Sequence, residues 1–75
     1  MKFEDYCDAL HMTHSDIAMH AQKEDTDIHI PRKMVTQACA GEAIPLPAAL
    51  ALCKYFTKQF GRKITLADIS DLKTV

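Results

Sequence analysis

Two sets of side chains in this chain have the types and spacing to do chemistry. In the run I-P-R-K-M-V-T-Q-A-C-A-G-E from Ile30 to Glu42, helical spacing sets Arg32, Lys33, Thr36 and Gln37 opposite Met34, Val35 and Ala38. Two cations, a hydroxyl and a carboxamide on one outward face can reach phosphate oxygens and base edges, Gln suiting adenine and Thr the thymine methyl. The same four residues also suit a solvated helix surface. The second set is Cys7, His11 and His14, at i, i+4 and i+7. On an unbroken helix they would align a thiolate and two imidazoles as a zinc or other soft-metal site requires, with a fourth ligand from His20, His29 or a second subunit. Against that, Cys7 shares its face with Phe3 and Leu10, which makes it a core residue beside two partly exposed histidines.

The elements that must position these groups follow from punctuation and period. Pro31 suits the first position of a helix and Gly41 the left-handed residue past its end, so residues 31–40 form a helix of about three turns. Phe3, Tyr6, Cys7 and Leu10 predict an amphipathic first helix over 3–11. Thr13 to Asp16 offer caps for a second helix through about Lys23, with Ile17, Ala18 and Ala21 inward. Lys23 to His29 is polar and aperiodic, a connecting loop. After Pro45 and Pro47, the stripe Leu46, Ala49, Leu50, Cys53, Phe56 and Phe60 predicts a fourth helix over 47–60 as the hub of the core, stopped by Gly61. Thr65 and Asp68 resemble a capping box opening a short last helix that buries Leu66, Ile69 and Leu72, with Lys73 to Val75 frayed. No strand is expected, and the fold class is all-α, a compact bundle of four to five helices.

Composition bounds the rest. Seventy-five residues make one domain, 1–75, with a core near the lower limit for independent stability, so a homodimer is a natural supplement. The longest apolar run is broken by prolines and too short to span a membrane, and Lys2-Phe3-Glu4-Asp5 has no apolar segment behind it, which together predict a cytoplasmic protein. Cys7, Cys39 and Cys53 are odd in number and widely spaced, as core residues rather than a finger. No Gly-rich turn or paired base accompanies them, so neither an enzyme nor a cofactor is expected. The net charge of -1 hides a polarity: residues 1–27 hold seven acids against two bases, and residues 28–75 hold seven bases against three acids. Such a chain can turn a basic face toward phosphates.

The stretch from Ile30 to Leu72 resembles the back half of the Cro-like and Xre-like helix-turn-helix repressors. Val35 matches the buried centre of their recognition helix, Gly41 the turn glycine, Pro45 or Pro47 the following proline, Leu50 with Cys53 the next core helix, and I-T-L-A-D-I the tail. The resemblance implies a lambda-repressor-like DNA-binding domain and a small transcriptional regulator that binds double-stranded DNA as a dimer. It would set helix 31–40 in the major groove, with Arg32, Lys33, Thr36 and Gln37 as its contacts. The front half departs from that pattern. K-E-D-T-D-I-H-I replaces a tight glycine turn and brings Glu24, Asp25 and Asp27 toward the expected path of the phosphates. A different class, a helical adaptor or anti-repressor, would work instead through the acidic first helix or the Leu and Phe surface of the fourth.

Overall fold

The computed structural model describes residues 1–75 and contains α1 (Phe3–Ala9), α2 (His14–Glu24), α3 (Arg32–Cys39), β1 (Ala43–Ile44), α4 (Leu46–Phe60), a 3₁₀ turn (Leu66–Asp68) and β2 (Lys73–Thr74). The chain is mostly helical. No helix is long and apolar enough to cross a membrane.

Local chemistry explains where the helices start and stop. At the head of α2 the Thr13 hydroxyl accepts from Asp16 N–H (3.2 Å) while the Asp16 carboxylate accepts from Thr13 N–H (3.3 Å), a reciprocal cap that satisfies two free donors. α3 ends on Gly41 at φ +79°, with Gly41 N–H donating to Ala38 and Glu42 N–H to Gln37, the paired closure of a left-handed helix stop. α1 ends the same way, but His11 holds the left-handed position at φ +55°, with His11 N–H on Asp8 and Met12 N–H on Cys7. The first helix is therefore shorter than the expected 3–11. Its stop is invisible to a reading that looks for glycine.

The core is built by α1, α2, α3 and α4 around Phe56. Its ring lies 5.4 Å from both Phe3 and Tyr6, 5.9 Å from Tyr55 and 6.3 Å from Phe60, distances at which aromatic pairs attract beyond simple burial. The buried face of α4 is Ala48, Ala49, Ala51, Leu52, Cys53, Tyr55 and Phe56. Leu46 and Leu50, expected in the core, are instead exposed at 41% and 51%. The inward face is centred on Ala48, Leu52, Tyr55 and Phe56, turned about the helix axis from the expected stripe, so Leu52 and Tyr55 take the buried positions. Phe56 and Ile69 are core residues, whereas Phe60 and Leu72 are half-buried.

The C-terminal segment departs most from expectation. The last helix is only a single 3₁₀ turn, opened as expected by Thr65, whose N–H (2.8 Å) and hydroxyl (3.1 Å) donate to the Asp68 carboxylate. The tail is not frayed. β2 pairs in parallel with β1, Ala43 opposite Lys73 and Ile44 opposite Thr74, and Val75 N–H donates to Ile44 at 3.0 Å. The same segment fastens the start of α1, since Phe3 N–H donates to the Asp71 carboxylate at 2.7 Å and Ser70 N–H to the Met1 carbonyl at 2.9 Å.

Candidate nucleic-acid interface

α3 is placed by its inner residues. Val35 and Ala38 are fully buried, Met34 is half-buried against the core, and Arg32, Lys33 and Thr36 stand exposed on the other side. Gln37, the fourth expected outward residue, is half-buried. Pro31, Arg32, Lys33 and Thr36 line a shallow hollow of about 480 Å³.

The electrostatics at the head of α3 are unbalanced. Its cap residue Pro31 supplies no side-chain acceptor to the first turn, and that turn holds no acid. Two cations therefore sit at the positive pole of a helix beside uncapped N–H groups, an arrangement that costs the helix roughly 0.3–1 kcal/mol per charge. An anion placed there would relieve the repulsion and satisfy the donors.

The head of α2 joins this face. His14 Nδ1 lies 3.1 Å from Thr36 Oγ1 and His14 Nε2 lies 3.3 Å from Cys39 Sγ. Burial, followed by the charge of Glu4, pushes the Cys39 thiol up to about 11, so the thiol is protonated at neutral pH. Through these two contacts His14 ties Cys39 and the exposed Thr36 of α3 to the head of α2. A second hollow of about 490 Å³ joins Thr13, His14 and Ser15 to Arg32 over a floor of Cys7 and Met12, making one polar strip from the heads of α2 and α3 that also carries the Asp8 carboxylate. Sequence reasoning missed His14 and Ser15 here, because only the packing of α2 on α3 sets them beside Arg32 and Thr36.

The α2–α3 connection, Asp25 to Pro31, is organised by Gln22. Its amide donates to the carbonyls of Asp25 and Ile28, and its oxygen accepts from Ile30 N–H at 2.6 Å. Of the acids expected near the phosphates, Glu24 is turned away and paired with Lys58 of α4 at 2.8 Å.

The alternative metal site does not assemble as a helical line. The left-handed turn at His11 breaks the helix, so Cys7, His11 and His14 do not share a face, and no group of three His, Cys, Asp or Glu side chains is arranged to hold a metal ion. Burial, then the neighbouring Cys39 thiol, pushes Cys7 up to about 12; burial, then Asp68, pushes Cys53 up to about 11. These cysteines are protonated packing residues at neutral pH. Comparison with known protein families, with curated proteins and with solved structures finds no match to this chain.

Proposed function

We propose that the protein binds duplex DNA through the outer face of α3 and the head of α2, acting as a small helix-turn-helix regulator. The observation that carries this reading is the positive pole of α3, where Arg32 and Lys33 crowd a helix start whose first turn holds no acid and no side-chain cap. Phosphate is the anion whose geometry matches Lys and Arg beside free backbone N–H groups, and α3 is narrow enough to lie in a major groove. Arg32 and Lys33 engage backbone or guanine, Thr36 offers its exposed hydroxyl, and Ser15 at the start of α2 meets the flanking phosphates. Two copies reading adjacent half-sites would supply the affinity that one short helix lacks.

The test is an NMR titration of the labelled chain with a duplex. The amides of Ser15, Arg32, Lys33 and Thr36 should shift together while those of Leu50 and Ala67 stay in place. Shifts confined to other surfaces, or none at low salt, would refute the reading.

A further inference from the structure

Beside α4 runs a groove of about 700 Å³ that shares no residue with the α3 face. Its apolar wall is formed by Leu50 and Cys53 of α4 with Ile64, Leu66 and Ala67 of the following segment. Leu50 is half exposed there although it stands on the central core helix. The polar residues of the groove divide into two kinds. The Thr57 and Thr65 hydroxyls are used internally, Thr57 accepting from Ile64 N–H (2.9 Å) and donating to the Ile64 carbonyl (3.2 Å), and Thr65 donating to the Asp68 carboxylate (3.1 Å). Lys54 and Lys63, in contrast, stand exposed on the rim, and the sole ion pair of the protein is made by neighbouring Lys58 with Glu24.

We propose that this groove seats an acidic amphipathic helix of a partner protein, its apolar stripe on Leu50, Leu66 and Ala67 and its carboxylates against Lys54 and Lys63. A helix laid along a groove with apolar residues at i, i+3, i+4 and i+7 matches an apolar wall with charge at its edges. Charge complementarity selects the occupant. A second copy applied by a two-fold axis would set Lys54 and Lys63 against their equivalents, which is repulsive. The acidic first helix of a second copy does not supply the complement either, because its apolar side, Phe3, Tyr6 and Cys7, is already buried in the core.

The experiment uses the full chain, labelled for NMR, and a designed helical peptide of about four turns with Leu at i, i+3, i+4 and i+7 and Glu on both flanks. A matched peptide carries Lys in place of Glu. The acidic peptide should shift Leu50, Leu66 and Ala67. The Lys54→Glu, Lys63→Glu double variant should weaken it by roughly tenfold and favour the Lys peptide. Leu50→Glu, at an exposed position, should abolish binding while circular dichroism shows the fold intact. No shift at the groove, or equal affinity for the two peptides in both wild type and double variant, overturns the proposal. So do peptide-independent shifts of Leu50 and Leu66 that grow with protein concentration, because the occupant is then a second copy.

Discussion

The outer face of α3 and the groove beside α4 rest on the same core yet are open for opposite reasons. On α3 the inner side is fully used by Val35 and Ala38, and what remains outside is polar, with two cations at a helix pole that repels them. On α4 the inward face is turned from the expected stripe, so Leu46 and Leu50 are left in solvent with lysines at the edge. The first surface presents positive charge and the second presents apolar area. Two different ligand classes are accordingly proposed for one small fold.

The largest perturbation breaks both surfaces together. Phe56 packs against aromatic rings of both α1 and α4, and Phe56→Ala should cost about 3–5 kcal/mol, measured by urea unfolding. Loss of the groove with retention of α3 structure would mean that the two faces belong to separate units. A second, smaller effect comes from alkali. The folded chain holds the thiol protons of Cys7, Cys39 and Cys53 above their ordinary value of 9.0, so the unfolded chain ionises first. Stability should be level below about pH 8 and fall from pH 9 upward, by about 1.4 kcal/mol per pH unit for each thiol concerned. Cys53 lines the groove and Cys7 lies under the α2–α3 strip. Cys53→Ala should therefore remove only part of the slope, and an unchanged slope would contradict the assignment. The smallest effect is local to the polar side. His11→Gly relieves a left-handed residue and should raise stability by about 0.5–1 kcal/mol without altering the groove. A melting temperature that falls would show that the His11 side chain is needed.

The polar surface was more legible in sequence than the apolar one, and the reason is the range of the interactions. α3 is announced by its own residues: Pro31 before it, Gly41 after it, Val35 and Ala38 within it. The Thr13 cap of α2 and the Thr65–Asp68 pair are equally local. What sequence could not show depends on distant partners. Leu46 and Leu50 read as core because a periodic stripe says nothing of which side the neighbouring elements meet. β1 and β2 have two residues each and no alternation to detect, and their pairing joins residues about thirty apart in the chain. Gln22 reads as one more polar residue on α2, although its amide organises the loop into α3. The expected resemblance to Cro-like and Xre-like repressors is drawn from such local features alone, and the DNA reading is a proposal argued from the head of α3.

The most direct test of that reading is the salt dependence of binding to a random-sequence duplex, followed by fluorescence anisotropy for the wild type and for the Arg32→Ala, Lys33→Ala double variant. Both positions are exposed, so the variant should unfold within about 0.5 kcal/mol of the wild type. Tight binding at low salt that weakens steeply as salt rises is predicted, with the slope in the variant shallower by roughly one for each phosphate that the missing cations no longer neutralise. Absence of binding by the folded wild type at low salt, or identical slopes for the two proteins, would contradict it.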